Sequence, residues 1–247
     1  MRAAAFDREG PASVLKIRDL PVPKLGPRDV MIEVDTAGVG TWEPEQRSGH
    51  WPVENADYPL VLGSDGSGTV VARGARARRF RVGDRVYAFS LGGRKTGFDA
   101  EYVAVPEPSA ARIPRGLDLL RAGASPSVAL TAIQGSDDAL HIKRGERIAI
   151  TGASGNVGMF AIQFAKARGA LVLAIASGRD GTAFAKRLGA DVAIDGKHAN
   201  IAKTLEQFAP DGLDAVLALV GGETLAACLD AMKPRDRVAY PNGVEPA

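Results

Sequence analysis

Residues 150–158 read I-T-G-A-S-G-N-V-G, with glycines at 152, 155 and 158 set between the apolar run R-I-A-I and the run M-F-A-I-Q-F-A-K. A strand-like run, a glycine turn and a helix-like run in that order leave few folds open. Gly152 suits a tight turn at a strand end, Gly155 lets the backbone approach a bound group, and Gly158 lets a helix pack close to a sheet. From Arg147 onward, strand-like runs R-I-A-I-T, L-V-L-A-I-A, D-V-A-I-D, D-A-V-L-A-L-V and R-V-A-Y alternate with helix-like segments. In the first of those segments Val157, Phe160, Ala161, Phe164 and Ala165 recur at the helical period and predict one apolar stripe. Strands this apolar are buried on both faces, which predicts a parallel sheet of βαβ units, an α/β fold of Rossmann type.

The first half has a different grammar. V-M-I-E-V-D-T-A-G, S-G-T-V-V-A, D-R-V-Y-A-F and A-E-Y-V-A-V read as short strands bounded by turn residues, which predicts an antiparallel barrel or sandwich. A helix over 125–140 joins the halves, so the expected domains are 1–124 and 125–247. The 247 residues carry 31 basic and 29 acidic side chains, a net charge of +2 that implies no strongly charged partner. No apolar run approaches the ~20 residues of a membrane span, and the N-terminus has no apolar signal core. Cys228 is alone, which excludes an internal disulfide framework and a cysteine-rich zinc site. The expectation is a cytoplasmic protein with no nucleic-acid or membrane partner. The basic run 72–85 reads as a solvated arginine face of a hairpin, with nucleic acid as the other reading.

The helix predicted to begin near Asn156 presents unpaired N–H groups and the positive end of its dipole, which suits a pyrophosphate. A dinucleotide is therefore the expected ligand. Where an NAD-preferring site carries an acid at the end of its second strand, this chain has Ser177, Gly178 and Arg179. A hydroxyl and a guanidinium suit the 2′-phosphate of NADP(H). Asp180 lies past the strand and reads as a helix N-cap.

The linking helix with A-L-T-A, the G-x-S-G-x-V-G run and R-L-G-A-D-V-A-I-D together resemble the medium-chain dehydrogenase/reductase superfamily. R-S-G at 47–49, Y-P-L-V-L-G-S-D-G-S-G-T-V at 58–70 and F-R-V-G-D-R-V-Y at 80–87 place the likeness nearest its zinc-independent quinone oxidoreductase branch. The resemblance implies a GroES-like antiparallel β-barrel domain before the Rossmann-type domain, with an active site in the cleft between them. It implies hydride transfer from NADPH to a small-molecule electrophile, a quinone or an activated alkene such as an α,β-unsaturated carbonyl. It places Thr131 at the nicotinamide and Ser154, Asn156 and Val157 near the pyrophosphate. Ser177 and Arg179 would hold the adenosine phosphate, Val220 and Gly221 would border the nicotinamide ribose, and Pro241 and Asn242 would lie on the next loop toward the cofactor.

Zinc-dependent relatives supply ligands from a G-V-C run, a G-H-E run and a cysteine before the linking helix. Here those places read G-V-G at 38–40, G-S-D at 63–65 and Ser127, and no zinc is expected. His50, His141 and His198 lack ligand spacing and read as surface or capping residues. Some relatives carry an asparagine and a tyrosine where this chain has Gly40 and Glu45. Thr41 is the candidate donor to the substrate oxygen, and Trp42 either stacks on a flat substrate or is ordinary packing. Glu43 and Glu45 read as solvated, although a carboxylate in the cleft could have a raised pKa and donate a proton; of the two, Glu45 is the catalytic candidate. Five strand-like runs follow where the fold usually has six, so the chain is expected to be a fragment or a shortened relative. Its last edge would be open to pairing, and a homodimer is the arrangement considered for a full-length parent. The other functions considered are a non-catalytic NADPH-binding sensor or structural protein and a zinc-free alcohol or aldehyde reductase.

Overall fold

A computed structural model describes residues 1–51, 53, 56–90 and 97–241, which divide into two units, Met1–Ser127 and Val128–Ala247. Unit one opens with β1 (Arg2–Phe6), β2 (Lys16–Asp19), β3 (Asp29–Ala37), helix α1 (Trp42–Ser48) and β4 (Leu60–Val61). It continues through β5 (Asp65–Arg73), β6 (Arg85–Phe89), β7 (Tyr102–Pro106), β8 (Ala110–Arg112) and helix α2 (Leu119–Gly123). The strand-like runs of the first half become β3, β5, β6 and β7. These pair antiparallel with β8 in one sheet of order β7-β3-β5-β6-β8, and β2-β1-β4 forms a second. Alternation puts Val30, Ile32, Val70, Val86, Val103 and Val105 on a shared inner face around Phe80 and Phe98. The arginine run forms the turn between β5 and β6, with Arg76, Arg78, Arg79 and Arg81 exposed. Glu107 accepts the backbone N–H groups of Arg78 and Arg79, and Arg112 bridges to Asp84 beside the Phe80 ring.

Helix α3 (Pro126–Ile133) spans the junction between the units, and the single helix expected over 125–140 is interrupted. From Gln134 to Ala139 the chain widens into a π turn, in which Leu140 N–H reaches Gly135 O. Gly135 faces the Leu217 side chain, where a Cβ would lie 2.9 Å from a methyl group.

Unit two then runs β9 (Arg147–Thr151), α4 (Asn156–Ala167), β10 (Leu171–Ala176), α5 (Gly178–Arg187) and β11 (Val192–Asp195). It ends with α6 (Ile201–Phe208), β12 (Leu213–Ala218), α7 (Gly222–Asp230) and β13 (Met232–Ala239). All strand pairs are parallel, in the order β11-β10-β9-β12-β13. Ala161 and Ala165 of the α4 stripe are fully buried, and Val157, Phe160 and Phe164 pack at the rim of the same core. Ala149, Leu173, Ile175 and Val216 face the opposite core with Leu205 and Leu225, so the sheet is covered on both sides. The last strand starts earlier than R-V-A-Y. It holds an irregularity where Arg235 takes a φ of 72°, and Lys233 and Arg237 bind Asp214 and Glu146. The strand order reverses at β9, with β10 on one side and β12 on the other, and crevices at such points open at the carboxyl ends of strands.

Candidate cofactor and active site

At the carboxyl end of β9 the chain turns at Gly152, whose φ of 63° is open to glycine at little cost. Gly155 N–H bonds Gly152 O at 2.9 Å, which closes the turn and delivers the chain to α4. A Cβ on Gly158 would lie 2.6 Å from Gly152 O, so only glycine lets the helix sit this close to its own entry turn. A Cβ on Gly155 would meet only Gly152 O, at 3.3 Å, so the space in front of the helix start is open. Gly155 holds the N-cap position and no side chain caps the helix. A twelve-residue helix therefore presents an uncapped N-terminus to an open corner at the reversal point of the sheet, a fit for an anionic pyrophosphate. Gly155 and Asn156 are exposed there. The Val157 side chain packs on the core, as the apolar stripe predicts, and its backbone is what remains for a ligand.

Hydrogen bonds tie this corner to two of the other expected cofactor residues of unit two, Ser177 and Val220. Ser154 Oγ accepts the N–H of Ser177 at 3.1 Å, tying the glycine turn to the end of β10. Thr151, which the sequence reading passed over, is fully buried and ties the turn to the loop after β12. Its Oγ1 donates to Val220 O at 2.8 Å and accepts Leu219 N–H and Val220 N–H at 3.0 Å. Leu219 and Val220 are thereby held beside Gly152, and Gly221 follows them in the chain. Thr131 lies on α3 and Pro241 follows β13, while Asn242 lies outside the described residues.

Ser177 occupies the N-cap position of α5, but its hydroxyl does not cap the helix. Asp180 does not cap it either, contrary to the sequence reading: it sits within the first turn. The carboxylate that does interact with the Gly178 N–H comes from across the sheet, from Asp195 at the end of β11. His198 hydrogen-bonds Asp195 first, the N–H groups of Lys197 and Gly178 add to it, and the Asp195 carboxyl is held below its usual range. Arg179 is exposed and lines a shallow groove with Thr182 and Lys186 of α5 and Asp195 of β11.

In unit one the loop before α1 carries Thr41, exposed at the N-cap position and capping nothing. Trp42 is half-buried, and its Nε1–H donates to Ser64 Oγ at 2.6 Å. A Cβ on Gly40 would lie 2.3 Å from the indole ring, so the absence of a side chain at 40 is what lets Trp42 fold back over the chain. Glu45 behaves as the solvated reading foresaw: its side chain is 56% exposed and lies 3.4 Å from His50. Glu43 does not. It is 5% exposed, and its Oε1 is buried without a hydrogen-bond partner among the described residues. Burial, then the charge of Asp99, raise its pKa to about 7 against the pull of the Ser64 and Gly40 N–H groups, with Asp65 adding a smaller push. Burial also raises Asp65, whose Oδ2 accepts Ser127 N–H at 2.7 Å, and Asp99. Of the two glutamates, the enclosed one, whose acidity burial weakens, is therefore Glu43.

These positions do not fit a zinc ion. Gly40 offers no donor atom, Ser64 Oγ is taken by the indole N–H, and one oxygen of Asp65 is taken by the Ser127 N–H. Among the described residues, no three or more His, Cys, Asp or Glu side chains cluster so as to hold a metal. His50 and His198 each sit against an acid, and His141 is exposed with a φ of 48°.

Residues 26–115 match the alcohol dehydrogenase GroES-like domain and residues 156–241 the zinc-binding dehydrogenase family. A quinone oxidoreductase of Pseudomonas aeruginosa is 33% identical over 232 residues, which cover 93% of this chain and 70% of the relative. The chain is a medium-chain dehydrogenase/reductase of the quinone-oxidoreductase-like branch. The mitochondrial NAD(P)H oxidoreductase RTN4IP1 of Bos taurus is 33% identical over 267 residues, covering 100% of this chain and 66% of its own. This medium-chain dehydrogenase/reductase thus spans about two thirds of the length of such relatives. A mycobacterial protein solved in complex with NADPH superposes with a TM-score of 0.85 at 27% identity, covering 100% of this chain and 76% of that one. Unit one is the GroES-like part of the superfamily fold, and unit two the Rossmann-like nucleotide-binding part. No helix among the described residues is long and apolar enough to cross a membrane.

Proposed function

We propose that this chain carries the cofactor site and the acceptor-binding face of a zinc-independent reductase that uses NADPH to reduce quinones or activated alkenes. The observation that carries the reading is the uncapped start of α4 behind the Gly152 turn, with space left open by Gly155. The names of the relatives, quinone oxidoreductase and NAD(P)H oxidoreductase, and the NADPH complex of the mycobacterial neighbour support it.

In this reading the backbone N–H groups at the start of α4 take the pyrophosphate, where the dipole favours negative charge. Ser177 and Arg179 take the 2′-phosphate, with Lys186 adding positive charge along the same groove. Thr151 fixes the 219–221 loop that borders the ribose, and Thr131 meets the nicotinamide. NADPH supplies the hydride when bound. The chain sets distance and angle and excludes water, which accounts for most of what protein contributes to such a transfer. Negative charge that develops on the acceptor oxygen is met by the exposed hydroxyl of Thr41, while the ring of Trp42 offers a flat face to a flat acceptor. With a donor set that does not fit zinc, stabilisation rests on hydrogen bonding, which suits electron-poor acceptors better than simple aldehydes.

The test mixes the purified protein with NADPH and follows cofactor fluorescence, then adds a panel of quinones and enones and follows NADPH oxidation. Binding with oxidation by some of the panel is the expected result. Enhanced fluorescence with no oxidation across the panel would favour a non-catalytic NADPH-binding protein.

A further inference from the structure

We propose that Glu43 is a positioning residue for Trp42, seating the indole while its buried carboxyl keeps a proton and releasing it when that proton leaves. The consequence for turnover rests on the reading above, in which Trp42 faces the acceptor; the change in the indole does not.

Two supports hold the ring. Gly40 lies under it with no room for a Cβ, and Ser64 Oγ accepts its Nε1–H at 2.6 Å. The backbone N–H groups that act on the Glu43 carboxyl belong to the same two residues, Gly40 and Ser64. One side chain thus sits behind both supports, one position along α1 from the indole itself. The enclosure leaves its Oε1 without a partner among the described residues. A neutral carboxyl tolerates that enclosure at modest cost, whereas a carboxylate cut off from water does not.

The charged groups acting on Glu43 from the elements around it are Asp99, in the segment before β7, and Asp65, at the start of β5. Both are acidic, and one Asp65 oxygen is occupied by Ser127 N–H. Ionisation places a further negative charge beside them. Relief comes when water reaches Oε1, which requires the first turn of α1 to shift, and the Gly40–Trp42–Ser64 arrangement moves with it. The acidity already given for Glu43 sets this change near pH 7.

The experiment uses the full chain carrying Trp51→Phe, so that Trp42 alone reports, since the sequence has two tryptophans. Emission and acrylamide quenching are followed from acid to alkaline pH, alongside KM and kcat for a quinone with NADPH. The expected result is an increase in quenching with a midpoint near 7. The KM for the quinone rises several-fold over the same range, and kcat changes less. Glu43→Gln removes both transitions. Asp99→Asn, which removes the largest charge acting on Glu43, moves both midpoints to lower pH and keeps the test decisive should the glutamine variant fail to fold. A Trp42 signal that ignores pH, or a midpoint unmoved by these substitutions, overturns the proposal. An intact Trp42 transition with no NADPH oxidation at any pH overturns the reductase reading and leaves the seat standing.

Discussion

Thr151→Val keeps the shape of a fully buried side chain and deletes the one hydroxyl that joins the glycine turn to the 219–221 loop. Three hydrogen bonds go with it: the one donated to Val220 O and the two accepted from Leu219 N–H and Val220 N–H. A buried polar group left unpaired costs about 1–3 kcal/mol, and three such groups would set a ceiling several times that. Val220 is 51% exposed, so water can reach some of the freed groups and the ceiling is not met. A loss of about 2–3 kcal/mol follows. For a chain of this size that lowers Tm by roughly 5–10 °C. Circular dichroism on heating measures it. NADPH titration by fluorescence should show weaker binding as well, because the loop bordering the ribose loses its anchor. Thr151→Ser keeps Oγ and should recover most of both effects. A valine variant that unfolds at the wild-type temperature and binds NADPH as tightly as wild type would refute the claim that this hydroxyl organises the corner.

Glu43 gives a pH-dependent stability with a definite sign. Its pKa is about 7 when folded against an ordinary 4.5, so between those values the folded state binds more protons and stability falls as pH rises. By neutral pH the loss is roughly 3 kcal/mol, and urea unfolding of Glu43→Gln against wild type should show a difference that grows from pH 5 to pH 8; a constant difference would contradict the assignment. Gly40→Ala drives a Cβ into the indole and should break the Trp42–Ser64 bond, seen as a shift in Trp42 emission together with a loss of stability of about 1–3 kcal/mol. Gly158→Ala must separate α4 from the Gly152 turn, and it should weaken NADPH and NADH binding alike while destabilising unit two. Arg179→Glu should weaken NADPH binding tenfold or more, about 1.4 kcal/mol, and leave NADH binding nearly unchanged; equal losses would reject the phosphate assignment.

How far the sequence was legible follows from how local each cause is. The strands β9, β10 and β12 are built on the apolar runs I-A-I, L-V-L-A-I-A and A-V-L-A, and the glycines at 152 and 158 are needed within a few residues of themselves, so pattern and spacing sufficed. The start of β13 was not readable, because Pro234 and Arg235 break the apolar pattern and the irregularity there is held by Asp214 on another strand. The capping of α5 failed for the same reason: the acid nearest in sequence, Asp180, loses to Asp195, which only the parallel pairing of β10 with β11 brings to the helix. Glu43 is the sharpest case. A glutamate two residues from another glutamate, on a short helix, is exposed by every compositional prior. Its burial is decided by α1 packing its first turn inward, with Gly40 cleared for the indole and Ser64 placed to receive it. The glycine at 40, which has no donor atom for a metal, and the serine hydroxyl at 64 are the residues that seat Trp42 beside the enclosed carboxyl. Taken one at a time along the chain they look ordinary; in three dimensions they form a single construction, and its acidity is a property none of its residues shows alone.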